Sequence, residues 1–319
     1  MNPLTPFLQQ QGFVMLDGGL STQLERLGAD ITGELWTFRV LLEQPELLER
    51  AHAAFLDGGA DIVATASYQA SIEGLQRAGY SAGDAKRLMR HSVAIAARAR
   101  DAYWSRARDG GGRLRPLVAT SLGPYGACLH DGSEYHGKYT LTRAELADFH
   151  RRRIAILSDA GADLFAFETF PSLAEAEALL DVLPEFPKLR AWLSFTCRDE
   201  KNVAHGEPFA ECAALATSCE NLVAVGINCL DPLKVPALLD TAAGCGLPLM
   251  AYPNSGEYWD ADAQEWRGDP RKHMNVAAWR RHGARLIGGC CRTDADDIRQ
   301  MRGALENTFR SGMEKHGAE

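Results

Sequence analysis

Two adjacent cysteines, Cys290 and Cys291, follow an apolar run and two glycines in Ala284-Arg285-Leu286-Ile287-Gly288-Gly289-Cys290-Cys291. A third, Cys229, closes a similar run, Leu222-Val223-Ala224-Val225-Gly226-Ile227-Asn228-Cys229. Neither site fills a four-coordinate zinc shell alone. Together they offer three thiolates and leave one position open, which distinguishes a catalytic zinc from a structural one. Thiolate ligands select zinc where the metal has no redox duty. Adjacent thiols reach one ion only if the chain turns sharply, and Gly288-Gly289 supplies backbone freedom for that turn. The same residues also fit buried core cysteines or a strained vicinal disulfide, because the spacing is not a compact C-x-x-C array.

The elements that must position these thiols follow a recurring pattern. A helical stretch ends at glycine and an apolar run begins, as at Gly58-Gly59 before Ile62, Gly161 before Leu164 and Gly283 before Leu286. Glycine there reads as the left-handed cap of the helix. Apolar runs without alternation are what a parallel strand buried on both faces requires. Eight such runs occur, at 13–16, 62–66, 117–120, 164–168, 191–195, 223–228, 248–252 and 285–288. Helical patterns lie between them, over 45–56, 85–103, 143–158, 173–182, 209–218, 235–243 and 274–281. Regular alternation implies right-handed βαβ units and a parallel sheet. Eight repeats predict a (β/α)8 barrel over residues 1–319 as one domain. An open doubly wound sheet is the alternative, but Gly-x-Gly-x-x-Gly is missing after the first strand, and no P-loop is present. Asp109-Gly110-Gly111-Gly112-Arg113 reads as a surface turn at the face opposite the chemistry. The chain after Met301 reads as a last helix fraying from Glu314.

In a barrel enzyme the chemistry sits where strands end. The strand ends here supply Asp17-Gly18-Gly19, Thr65 to Gln69, Thr120 to Gly126, Glu168-Thr169-Phe170, Asn228-Cys229, Tyr252 to Glu257 and Gly288 to Cys291. Glu168 ends a very apolar strand, where a carboxylate is costly to bury unless paired. A substrate ammonium would pair it, as would an internal salt bridge. Asp17 with the two following glycines offers a carboxylate and backbone N–H groups to a substrate, or a cap to the next helix. No histidine stands at a strand end in a ligand-like motif; His205 and His273 read as loop residues.

Composition narrows the classes. A formal net charge of −8 argues against a nucleic-acid surface. Arg151-Arg152-Arg153 follows Glu145 and Asp148 and reads as a solvated helix face. No segment approaches the ~18 apolar residues of a membrane span, and the N-terminus lacks the basic and apolar regions of a secretory signal. Eight irregularly spaced cysteines in a chain of 319 residues suit a reducing cytoplasm rather than a disulfide framework. The five cysteines away from the trio read as packing residues.

Taken in order, Leu16-Asp17-Gly18-Gly19, Thr65 to Ala70, Ser121 to Gly126, Phe167-Glu168-Thr169, Gly226 to Cys229, Tyr252 to Glu257 and Gly288 to Cys291 resemble the homocysteine S-methyltransferase family. The resemblance spans nearly the whole chain. It implies a (β/α)8 barrel with Zn2+ held by Cys229, Cys290 and Cys291. It also implies that homocysteine takes the open position through its sulfur. Glu168 would hold the homocysteine ammonium; Asp17, Gly18 and Thr65 would fix its amino-acid end. Gln69, Asn228, Tyr252 and Asn254 complete the implied substrate-binding set. Tyr125, Phe170, Tyr252 and Trp259 are expected to face the donor's positive charge.

The chain looks most like the short bacterial and plant enzymes that use S-methylmethionine. It has Gln69 where the betaine-dependent branch carries tyrosine, and neither that branch's long C-terminal extension nor the further domains of cobalamin-dependent methionine synthase. S-adenosylmethionine remains the second sulfonium candidate. Other readings are betaine as donor, a zinc hydrolase, which the lack of strand-end histidines disfavours, and a non-enzymatic thiol or metal-handling protein. The expected partners are small molecules, with the chain a monomer or small homo-oligomer.

Overall fold

The apolar runs become strands buried on both faces. In a computed structural model of the chain, residues 2–31, 36–108, 112–260, 265–268 and 274–316 are described. Ten strands follow in order: β1 (Val14–Met15), β2 (Ile62–Ala64), β3 (Leu117–Leu122), β4 (Leu164–Phe170), β5 (Ala191–Phe195), β6 (Leu222–Asn228), β7 (Leu249–Tyr252), β8 (Tyr258–Asp260), β9 (Glu265–Arg267) and β10 (Ala284–Ile287). Eight of them form one parallel sheet in the order β1-β10-β7-β6-β5-β4-β3-β2. These are the eight expected runs, and helices cover their outer face: the chain is a (β/α)8 barrel. β8 and β9 pair as an antiparallel hairpin after β7, which the periodicity did not reveal.

The barrel closes at the β1–β2 seam through carboxylates. The Asp61 N–H donates to Met15 O at 2.7 Å, while Asp61 Oδ2 accepts the Met15 N–H at 2.9 Å. Higher on the seam, Asp17 Oδ2 accepts the Ala64 N–H at 2.7 Å. Two apolar layers result. Inside, Val14, Leu16, Ile62, Ala119, Leu164, Ala166, Trp192, Ala224, Met250 and Leu286 fill the barrel, with Leu4 and Phe7 at the entry to the first helix (Thr5–Gln11) packed into the same cluster. Outside, the larger cluster joins strands to helices.

The helices have local causes. Thr142 and Glu145 form a reciprocal capping box on Arg143–Leu157, and Ser172 caps Leu173–Val182. Gly59, Gly161 and Gly283 all take positive φ where helices give way to strands, as their positions predict. Short helices at Leu20–Arg26, Trp36–Glu43 and Ile72–Arg77 add to the expected set. The last helix, Ala295–His316, ends two residues past Glu314. His273 and residues 109–111 lie outside the described residues, as do 317–319. The described end of the glycine-rich turn, Arg113, donates to Gly59 O, Ala60 O and Asp61, beside the amino end of β2 and away from the strand ends that carry the thiols.

Arg153 corrects the solvated-face reading. Arg151 and Arg152 are exposed and ion-paired, but Arg153 is 2% exposed. It donates to Tyr68 O, Ala70 O and Gly123 O at 2.7–2.8 Å, tying the loops after β2 and β3 together. Those are carbonyls of irregular backbone, two of them without another backbone donor among the described residues and Tyr68 O also accepting the Gly123 N–H at 2.9 Å, which a buried guanidinium with five donors can satisfy.

Candidate active site

The three cysteines meet over the carboxyl end of the barrel. All three Sγ atoms lie within 4.8 Å of one another, and Cys229 Sγ is 3.8 Å from Cys291 Sγ. Cys229 takes a left-handed conformation, φ 53°, which turns its thiol off the end of β6. Such strain in a residue with a side chain is characteristic of functional sites. The backbone around Cys290 is fixed: its N–H donates to Pro253 O at 2.8 Å and its carbonyl accepts from Thr293 Oγ1 at 2.6 Å.

The two glycines before Cys290 serve space rather than backbone freedom. Neither has positive φ. A Cβ on Gly288 would stand 2.6 Å from Leu16 Cβ and 2.8 Å from Asp17 O; one on Gly289 would stand 2.2 Å from Thr293 Oγ1. The left-handed turn instead falls on Arg292, φ 64°.

Three crowded thiols do not ionise alike. Hydrogen bonds from Cys290 and Cys291 hold the Cys229 thiol well below its usual value, and with that charge in place the other two are pushed up. Three thiolates without a counter-ion repel; a bound cation removes that cost. The cluster therefore has both the spacing and the donor chemistry of a metal site. The remaining five cysteines are free, and four of them are buried.

A continuous polar network runs beneath the thiols, across the strand ends. The Thr65 hydroxyl accepts the Ser121 N–H at 3.0 Å and meets Ser67 Oγ at 2.6 Å. Ser121 Oγ donates to Glu168 Oε1, and Tyr252 Oη donates to Glu168 Oε2 at 3.1 Å. Tyr252 Oη accepts from Trp192 Nε1 at 3.2 Å and touches Ser194 Oγ. Ser194 Oγ and the Thr169 N–H both donate to Asn228 Oδ1 at 2.9 Å. Asn228 Nδ2 donates to Thr169 Oγ1 at 2.7 Å and points toward Cys290 Sγ, 4.0 Å away.

Glu168 has no Lys or Arg partner among the described residues, so the internal salt bridge is not what holds it. Burial pushes its carboxyl up to about 7, against the two hydroxyl donors that favour the anion. Asp17 does not cap a helix: Gly19 is the N-cap of Leu20–Arg26, and Asp17 spans the seam. Burial raises the Asp17 carboxyl well above its usual range, with the Ala64 N–H opposing. Gly18 packs against Phe55 and Thr293, with no room for a side chain. Asn254 is 6% exposed; its side chain lies near enough to the Cys229 thiol to favour the thiolate slightly, and its Oδ1 has no partner. Gln69 stands outside the network, its Nε2 3.1 Å from His130 Nδ1.

Two of the aromatic assignments fail. Phe170 is fully buried and stacks on His150 with ring centroids 5.3 Å apart, so it belongs to the layer outside the barrel. Tyr125 packs edge-on against Tyr139 and Phe149, and its N–H donates to Glu175 Oε1 at 2.6 Å. It anchors a loop. The side chain of Trp259 lies outside the described residues.

Sequence reasoning missed the loop of residues 123–142, which brings Glu134 and Tyr135 to the thiols. Tyr135 Oη is 3.7 Å from Cys229 Sγ. Glu134 is 4% exposed, and burial pushes its carboxyl up to about 7. The available signal was length: an irregular βα connection of this size in a barrel is usually functional.

A family model described as homocysteine S-methyltransferase matches residues 14–305. The chain belongs to the homocysteine S-methyltransferase family. It is 41% identical over 305 residues to a homocysteine S-methyltransferase of Bacillus subtilis, covering 94% of this chain and 97% of the relative. It is 43% identical over 308 residues to a selenocysteine Se-methyltransferase of Brassica oleracea var. italica, covering 92% and 89%. The metallated form of the homocysteine methyltransferase MmuM of Escherichia coli superposes with a TM-score of 0.85 at 41% identity, over 95% of this chain and all of that one. The family's sequence motifs and the thiol cluster thus coincide at one end of one barrel.

Proposed function

We propose that the chain transfers a methyl group from a sulfonium donor, S-methylmethionine, to the thiol of homocysteine, giving methionine, with zinc held by Cys229, Cys290 and Cys291. The observation that carries this reading is the thiol trio at the barrel mouth, beside a carboxylate with no basic partner. The trio fits the metal: sulfurs on one tetrahedral zinc, at bonds of ~2.3 Å, stand about 3.8 Å apart, the spacing of Cys229 and Cys291. When bound, zinc keeps an acceptor thiol ionised at neutral pH, where a free thiol of pKa ~8.5 is mostly protonated.

The residues supply position. Glu168, held from below by Ser121 and Tyr252, receives the homocysteine ammonium. Asp17 and Gly18 close the far side of that amino-acid pocket, and Thr65 keeps the β2 and β3 ends in register through Ser121. Asn254, whose buried Oδ1 is unpartnered, offers a further acceptor. As the new S–CH3 bond forms, the donor's S–CH3 bond breaks and leaves its electron pair on the donor sulfur. Anion and cation neutralise each other, so no general acid is needed, and aligned reactants account for most of the gain. A reducing cytoplasm suits thiols this crowded. Among the described residues no helix is long and apolar enough to cross a membrane.

The test is a donor panel with homocysteine on zinc-loaded protein. S-methylmethionine should outperform S-adenosylmethionine and betaine, and each homocysteine consumed should yield a pair of methionines. Betaine as the better donor, or turnover without zinc, would overturn the reading.

A further inference from the structure

We propose that Glu134, Tyr68 and Tyr135 form the subsite for the methyl donor's cationic centre, a small aliphatic sulfonium. This rests on the sulfonium-donor reading above and assigns the residues that select the donor. Glu134 is a carboxylate, 4% exposed, whose Oε2 has no hydrogen-bond partner, and no Lys or Arg pairs with it among the described residues. A carboxylate buried beside thiols adds negative charge where negative charge already crowds, unless a cation is to arrive. Glu134, Tyr68, Tyr135 and Cys229 stand close enough to influence one another's charge. Tyr135 places its hydroxyl 3.7 Å from Cys229 Sγ while the residue stays 37% exposed, so its ring lies between solvent and the thiols. Tyr68 and Thr169, at the end of β4, stand close enough for Thr169 to favour the ionised phenol, against the burial that raises it.

The subsite is built rather than incidental. A Cβ on Gly123 would stand 2.5 Å from the Tyr68 ring, so glycine is required for the ring to lie where it does. A Cβ on Gly126 would stand 2.5 Å from the Glu134 N, which presses the loop's two halves together. Arg153 holds the Tyr68 and Gly123 carbonyls from behind. Glu175 pins both ends of the loop, through the Tyr125 N–H and the Tyr139 hydroxyl. Two aromatic rings and one dry carboxylate suit a diffuse alkyl cation better than a hydrated ammonium, because an onium methyl has no hydrogen-bond donors to satisfy.

Zinc-loaded protein should be titrated calorimetrically with the trimethylammonium analogue of S-methylmethionine, which is shaped like the donor, and with its neutral tert-butyl isostere. The wild type should prefer the cation. Glu134→Gln should weaken the cation by about tenfold to a hundredfold and leave the isostere and the zinc content unchanged. Tyr135→Leu should weaken it by about threefold to thirtyfold, and Tyr135→Phe, which keeps the ring, by less than about twofold. Donor KM should follow the same order while homocysteine KM holds. Equal affinity of wild type and Glu134→Gln for the cation, or no preference for cation over isostere, overturns the subsite. A wild type that binds the analogue but transfers no methyl group from S-methylmethionine would instead overturn the functional reading.

Discussion

Replacing Glu168 by glutamine isolates charge from shape. The amide oxygen can still accept from Ser121 Oγ, and the amide N–H can donate to Tyr252 Oη, which keeps its Trp192 donor and can turn its proton to Ser194. The network therefore survives and the zinc ligands are untouched. What disappears is the charge-assisted bond to the substrate ammonium, which contributes about 1.5–3 kcal/mol. Homocysteine KM should rise by about tenfold to 150-fold at pH 8, with kcat and donor KM changed by less than a few-fold and zinc content unchanged. Acid should mimic the substitution. Burial sets the Glu168 carboxyl at about 7, so the binding form is the anion and it is lost as pH falls through 7. In the wild type, kcat/KM for homocysteine should fall about tenfold per unit on that acid limb. Glu168→Gln should lack that contribution, while the thiol ionisations common to both proteins remain. Steady-state kinetics from pH 6 to pH 9, with metal analysis of each protein, reads all of this. A homocysteine KM within twofold of wild type in the zinc-replete variant would reassign Glu168 to structure.

Cys290→Ser should lose zinc and activity together, read by metal analysis beside methionine formation; full activity in metal-free variant protein would remove zinc from the chemistry. Gly289→Ala drives a methyl group to 2.2 Å from Thr293 Oγ1, and should lower zinc affinity at least tenfold or unfold the β10 end, at a cost of roughly 1–3 kcal/mol; an unchanged zinc affinity and melting temperature would refute the close-approach account. Glu175→Gln tests a buried carboxyl raised to about 8, chiefly by desolvation. A folded-state value above the unfolded one gives stability that is complete below about pH 4.5 and is lost as pH rises through 8. The wild-type melting temperature should therefore fall more steeply than the variant's between pH 5 and pH 8, and parallel curves would show that Glu175 ionises in the folded protein at the same pH as in the unfolded chain, which refutes the raised value.

The parts legible in the sequence are those with a local rule behind them. Strands β1 to β7 and β10 are largely apolar runs without alternation, interrupted by residues such as Glu168 in β4 and the exposed Arg285 in β10, and such runs mark strands covered on both faces. Cys229, Cys290, Cys291, Glu168 and Asn228 were singled out because a barrel places its chemistry at strand ends, strand ends can be counted, and the fold brings these five together. Arg153 was misread because a charged triplet on a helix has no local mark of which member turns inward. Its partners are carbonyls more than thirty residues away or nearly so, and only the fold brings them together. The same holds for Asp17, whose partner across the seam is the Ala64 N–H, and for Glu134, which sits in a loop without periodicity. Gly288 and Gly289 were recognised as necessary but for a different cause: the approach of Leu16 and Thr293 is tertiary.

The charge balance at the barrel mouth connects these observations. Three thiols, Glu168 and Glu134 converge there, and both carboxyls are pushed up to about 7 because the site is dry and already negative. Arg153, the buried cation nearest in sequence to these loops, does not neutralise them; it spends its donors on three carbonyls. Glu168 receives hydroxyls, which orient it without cancelling its charge. A fold selected only for stability would place a basic residue against such groups, since an uncompensated buried charge costs several kcal/mol. The missing compensation is what a metal ion, an ammonium and a sulfonium each bring. A zinc-free enzyme has its second and third thiols protonated, so if the thiolates themselves help hold the donor, its affinity for the trimethylammonium analogue should change on zinc removal while that for the neutral isostere holds. If the carboxylates alone hold it, zinc removal leaves the analogue's affinity as it was, and the two arrangements are separated by one titration with and without metal.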